Sequence, residues 1–376
     1  MNKKEIAEIK KTLKPDVTAI DIIVNAFVQH TENGLKISKI SKKRLLSLDE
    51  TEVVKYLDIV KQTLGGHLEK NLLNISFPFD ECKDGGCQDR LYKLRASGLN
   101  DAAMNEEFIK HVAMNYDMVD DLMIQIVHGS YDVPVKTKDN IKNDESDDVY
   151  EFIICSVCPM VLEKAAIAYN PESEDFGALK QSRIADKPYS GFLFPAFNDR
   201  ASDVNQVLFY AKKPEDLHPE LITALTGGKL PIPADAQQSI FESILSELPN
   251  SKDFENTKNI HGEIRARIDT RHMNEEDTHL TKTDVKAIID STVEGISDED
   301  FNSAYEKVMA DYEDGSLALE NLIDTNKFNI DVPDIQIKIK PDKVANVEQK
   351  VVDGRKCFII PISGNVEVNG MPVSES

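Results

Sequence analysis

Four short apolar runs between residues 123 and 211 constrain the fold of this chain more than any other feature. They are MIQIVHGSYDV (123–133), VYEFIICSVC (149–158), GFLFPAF (191–197) and VNQVLFYA (204–211). Each is rich in β-branched and aromatic residues, bounded by Gly, Pro, Asn or Asp, and too short for a core helix, so each reads as a strand. Upstream, AIDIIVNAFVQH and LKISKI flank Glu32-Asn33-Gly34. Asn-Gly between two such runs predicts a hairpin, because tight hairpin turns need residues that tolerate positive φ. Residues 2–13 place Ile6, Ile9 and Leu13 at helical spacing and stop before Pro15. Ser47 or Asp49 can cap a helix running to about Leu64 and ended by Gly65-Gly66. Two further helices are predicted near 88–97 and 103–115. The polar TKDNIKNDESDD (137–148) reads as a surface hairpin loop.

After Pro214 the apolar period becomes helical, over 216–226, 234–248, 252–268, 283–291 and 298–311. The closing IDVPDIQIKIK, KCFIIPI and NVEVNG read as a small antiparallel sheet. Strands come first, helices follow and strands return, without strand–helix alternation. That order predicts an α+β fold: a central, mostly antiparallel sheet with flanking helices, a helical middle segment and a small C-terminal β segment. The expected domains are 1–213, 214–325 and 326–376.

Charge narrows the function classes. The chain has 44 basic and 66 acidic side chains, a net charge of −22. Residues 1–44 hold ten basic groups against five acids, or +5, which leaves −22 − 5 = −27 on the remainder. A coat of nucleic acid over the whole surface is excluded, since phosphate neutralisation needs clustered Lys and Arg. One such cluster ends the predicted hairpin: Lys36, Lys39, Lys42, Lys43 and Arg44. It is a candidate nucleic-acid-binding patch, or an edge strand whose lysines discourage aggregation. Within 290–324 eleven carboxylates accompany one Lys307, either a solvated helical face or a contact for a basic protein partner. No apolar run approaches the length of a membrane span, and no apolar segment follows the N-terminal MNKKEIAEIKK. Five cysteines, an odd count, fit a reducing cytoplasm better than a disulfide framework.

Three constellations could carry chemistry. Cys155 and Cys158 form a CxxC that is half of a zinc site, a redox pair or two small core residues, and the other half of a zinc site could come from Cys82 and Cys87. His261, His272 and His279 lie near acids but match no metal-binding helix motif. Asp132, Asp199 and Asp203, at strand ends, could hold a divalent ion with Arg200 gripping an anion as a catalytic set. Alternatively Asn198 and Asp199 make a turn and Arg200 pairs with Asp203. GxxxxGK[ST], GxGxxG after a strand and GxSxG are all missing. No common cofactor is expected, although the residues would admit a divalent metal or zinc, and the balance favours a non-enzymatic protein.

KNLLN (70–74), YDVP (131–134), CSVCP (155–159) and above all GFLFPAFNDR (191–200) resemble a bacterial family known as domain of unknown function 4317. The similarity runs from NKKEIAEIK to VEVNG, and the family brings no assigned activity with it. A second likeness concerns layout. VLFYAKKPEDLHPELITALTGGKLPIPADAQQSIFESI (207–244), with its Leu-Thr-Gly-Gly step at 225–228, and the closing strands are similar in order to the thirty-seven-kilodalton nucleoid-associated protein family. That family is itself acidic. The likeness implies a cytoplasmic protein that associates with the nucleoid, through DNA or through nucleoid proteins.

Overall fold

In the computed structural model the residues described are 1–15, 17–32, 34–116, 120–136, 142–171, 174–178, 181–228, 230–274, 279–310, 312, 316–361, 366–368 and 371–373. They form two compact units, Met1–Pro233 and Ala234–Ser376.

The first unit opens with α1 (Lys3–Lys11). Asn2 accepts from the Lys4 and Glu5 amides while Glu5 reaches back to the Asn2 amide, so two otherwise orphaned donors are satisfied reciprocally. There follow β1 (Ile20–Thr31), β2 (Gly34–Arg44), α2 (Glu50–Thr63) capped by Asp49, β3 (Leu72–Ser76), α3 (Cys87–Ala96) and α4 (Ala102–Met114) capped by Asp101. Further along come β4 (Leu122–Lys136), β5 (Lys142–Leu162), β6 (Arg183–Ala185), β7 (Ser190–Phe194), β8 (Ala196–Asn198), β9 (Ala201–Asp203), β10 (Gln206–Ala211) and α5 (Pro219–Thr226), besides short hairpins outside the main sheet such as Ile167–Asn170 with Asp175–Ala178. Of the expected polar loop, 137–141 lies outside the described residues, and β5 already begins at Lys142.

Eight strands make one sheet in the order β2-β1-β4-β5-β7-β10-β3, with β6 on the end of β5. Every pairing in it is antiparallel. Side chains alternate across a strand, so each strand feeds two faces. On one face Ile9 of α1 and Leu57 and Val60 of α2 meet Ile23, Phe152, Ile154, Leu193 and Leu208. On the other, Leu91, Leu94, Ile109, Val112 and Ile222 from α3, α4 and α5 meet Val24, Ile124, Ile153, Cys155 and Phe192. Helices on both sides explain why FIICSV and GFLF are apolar without alternation: neither face of these central strands meets water.

The first unit extends past residue 213 because α5 buries Leu221, Ile222 and Leu225 in its core. The second unit holds α6 (Ala234–Glu247), α7 (Phe254–Asn274), α8 (Lys282–Asp290) and α9 (Asp298–Met309). It ends not in one sheet but in three separate hairpins: Phe328–Val332 with Ile335–Ile339, Glu348–Val352 with Arg355–Ile359, and Val366–Val368 with Met371–Val373. Phe328, Ile330, Ile339, Val344 and Val347 form a small core there, with Phe254 and Phe358 against it. Among the described residues no helix is long and apolar enough to cross a membrane.

Candidate anion-binding cleft

The strand-end segments singled out in the sequence do meet, though not as a metal site. Asp199 and Arg200 form the two-residue turn between β8 and β9, with φ of 50° and 60°. Both angles lie in the left-handed region that tight hairpins require. The turn faces α1: the Asp199 amide donates to Glu5 Oε1 at 2.7 Å. Arg200 does not pair with Asp203. Its Nε lies 3.2 Å from Glu8 Oε2 and its Nη2 2.9 Å from Glu8 Oε1, and Nη2 also donates to the Pro134 carbonyl at 2.9 Å. Tyr131 donates to the same Glu8 at 2.9 Å. Burial and the Glu8 charge push that phenol up to about 12. Asp203 is taken up locally, accepting from Asn198 Nδ2 at 2.7 Å and the Asn205 amide at 3.0 Å. Asp132 is exposed, on the face of β4 opposite Tyr131 and Val133. The catalytic set Asp132, Asp199, Arg200 and Asp203 is therefore not assembled. Among the described residues no three His, Cys, Asp or Glu side chains are placed to share an ion.

The Arg200–Glu8 pair is mostly buried, with side-chain exposures of 21% and 25%. Arg200→Ala removes the guanidinium fork from Glu8, which keeps the Tyr131 hydroxyl, and should cost about 1–3 kcal/mol, below the range for fully buried pairs because some water remains. Urea unfolding measures this. Arg200→Lys should recover little, since one ammonium cannot reproduce the fork, and full recovery by Lys would show that charge alone matters.

Cys155 and Cys158 are three positions apart in the continuous strand β5, so their side chains leave opposite faces of the sheet. They cannot be two ligands of one ion. Both are buried, and burial raises both thiols, Cys158 to about 12 with a further push from Asp186 and Cys155 beyond that. Neutral thiols of this kind behave as small apolar core residues. His261 packs edge-on to Phe328 with its Nε2 3.3 Å from the Asp324 carbonyl, a packing role. In the acidic 290–324 segment, Asp290 and Asp298 share Lys286, and Glu306 pairs with Lys282.

The basic hairpin is divided by the same alternation. In β2, Lys43 and Lys39 oppose Ile23 and Phe27, and Lys36 opposes Gln29, so these three stand on the α1–α2 side. Lys42 and Arg44 oppose Val24 and Ile22 and stand on the α3–α4 side. Lys43 is paired with Glu52, and Lys42 donates to Asn100 at 2.6 Å. Lys36, Lys39 and Arg44 are exposed and, among the described residues, form no ion pair. The five do not make one patch.

A denser basic site lies on the α1–α2 side and was not foreseen. Lys10 at the end of α1, Lys61 near the end of α2 and Lys187 in the segment before β7 converge on an open cleft of about 550 Å³, with Tyr210, Gln62, Gly65 and one acid, Asp58. Among the described residues none of the three lysines has a carboxylate partner. Burial lowers the pKa of Lys10, as expected for an ammonium taken from water without compensation. The lining comes from four separate stretches of chain, so no local motif announces it. Three cations against one acid, beside a phenol and an amide, suit a phosphate or another polyoxyanion.

Comparison with known proteins adds one finding. The family model described as a domain of unknown function (DUF4317) matches residues 1–371. No curated protein and no solved structure matches the chain.

Proposed function

We propose that this chain, which belongs to the DUF4317 family, is a non-enzymatic, nucleoid-associated-like protein that grips the phosphate backbone of nucleic acid along the α1–α2 side of its sheet. The observation that carries the reading is the convergence of Lys10, Lys61 and Lys187, unpaired among the described residues, on one cleft. Lys36 and Lys39 stand on the same side of the sheet and would extend the track. A chain of net charge −22 repels phosphate elsewhere, so contact is local and falls steeply with salt.

The test is binding of the full chain to short duplex DNA at about 50 and about 200 mM salt, with and without Mg²⁺. Binding should weaken with salt. Neutralising Lys10, Lys61 and Lys187 together to Gln should flatten the log–log slope by about 3, near 0.9 for each lost phosphate contact. An unchanged slope, or no binding at low salt, sinks the reading. Loss of the DNA only when Mg²⁺ is present would favour a metal-dependent nuclease instead.

A further inference from the structure

We propose that the half-open cavity between α3, α4 and the end of α5 binds a small amphiphilic carboxylate, its acyl chain against the apolar walls and its head group on Arg90. The cavity measures about 370 Å³, within the range of small-molecule sites. Its walls are apolar: Leu91 and Leu94 from α3, Met104, Phe108 and Met114 from α4, and Leu225 from α5. The two methionines suit a flexible chain because unbranched thioethers repack at little cost, and Met114 is 67% exposed.

Charge selects the head group. Arg90, Lys93 and Lys110 border the cavity with a single acid, Glu107. Lys93 is already held by Asp84 at 2.9 Å and Asp89 at 2.6 Å. Arg90 is different. Its Nη2 donates to Cys87 Sγ at 2.9 Å, a weak acceptor, and among the described residues it forms no ion pair. Lys110 also lacks a carboxylate partner among them. His111 is turned to the Ala224 carbonyl at 2.9 Å and does not compete for the head group. The Glu81 carboxylate is taken by the Cys87 amide and acts on Arg90 only at longer range. A guanidinium that forms no ion pair beside an apolar cavity is matched by a carboxylate on a hydrocarbon chain, whose planar head can take two of its N–H groups. The site lies on the face of the sheet opposite the lysine cleft and is independent of the nucleic-acid reading.

Titration calorimetry of the full chain with dodecanoate, kept below its micellar concentration, tests this, with dodecanol and dodecyltrimethylammonium as head-group controls. Dodecanoate should bind one to one, dodecanol more weakly, and the cation not at all. Arg90→Gln should weaken dodecanoate about tenfold, the loss of one charged hydrogen-bonded contact, and leave dodecanol unchanged. Ala224→Leu, which fills the cavity, should weaken both. If that variant fails to fold, Arg90→Gln at an exposed side chain still decides. No heat with dodecanoate, or equal affinity in the parent and Arg90→Gln, overturns the proposal. So does association only with anionic phospholipid vesicles, which would mark a surface interaction rather than a cavity site.

Discussion

Gly191→Ala should abolish stable folding of the first unit or lower its stability by at least about 3 kcal/mol, at the upper end for overpacking a core. Gly191 sits in β7 between Ser156 of β5 and Tyr210 of β10. A Cβ there would stand 2.6 Å from Thr63 Cγ2 of α2 and closer still to the Cys155 carbonyl oxygen. Neither neighbour can yield cheaply. The carbonyl belongs to the backbone of a central strand, and Thr63 is locked by a 2.7 Å hydroxyl contact with Ser156 and a bond to the Ile59 carbonyl. The substitution must open the β5–β7 ladder or lift α2. Gly177→Ala is the control, because a Cβ at Gly177 meets nothing within 4 Å. Urea midpoints should separate the two by about 1 M or more, given slopes of about 1–3 kcal/mol per molar. A Gly191→Ala protein as stable as Gly177→Ala would show that α2 packs loosely on the sheet.

This glycine also explains part of what could be read in the sequence. GFLFPAFNDR stands out because it combines a position where α2 tolerates no side chain, a strand buried on both faces and a turn with two left-handed residues. The hairpin at Gly34, the Asp49 cap and the helices after residue 214 were equally legible, since each is a local matter of turn chemistry or period. What the sequence concealed was long-range. Period-two alternation alone could have split Lys42 from Lys43, but the irregularity between Phe27 and Val28, which keeps Lys36 and Lys39 on one side, leaves no local sign. Arg200 chose Glu8 over Asp203 because a distant helix offers a better-shaped partner than a turn whose carboxylate is already taken. The lysine cleft needs four segments brought together by folding, and the C-terminal strands carry no signal telling paired hairpins from a joined sheet.

Phe197→Ala is expected to cost about 3–5 kcal/mol, the usual range for emptying a buried aromatic site. Phe197 is fully buried, with Tyr150 at 4.7 Å between ring centroids and Tyr131 at 6.1 Å. Tyr150 is itself fixed by donation to the Pro195 carbonyl at 2.5 Å, so the surroundings cannot collapse into the space without breaking that bond. For a unit of this size the loss should lower the thermal midpoint by about 6–20 °C, readable by circular dichroism. Phe197→Leu should cost clearly less, because it keeps much of the volume. The two variants also separate scaffold from site. Phe197 leads into the Asp199-Arg200 turn that holds α1 through Glu5 and Glu8, and α1 carries Lys10 into the cleft. Where Phe197→Leu remains folded, the number of phosphate-facing lysines is unchanged, so the salt slope of DNA binding should match the parent. A flattened slope in a folded Phe197→Leu protein would mean that the corner sets the position of Lys10 directly. The most distinctive block of the sequence would then be part of the binding surface's support, and not only of the core.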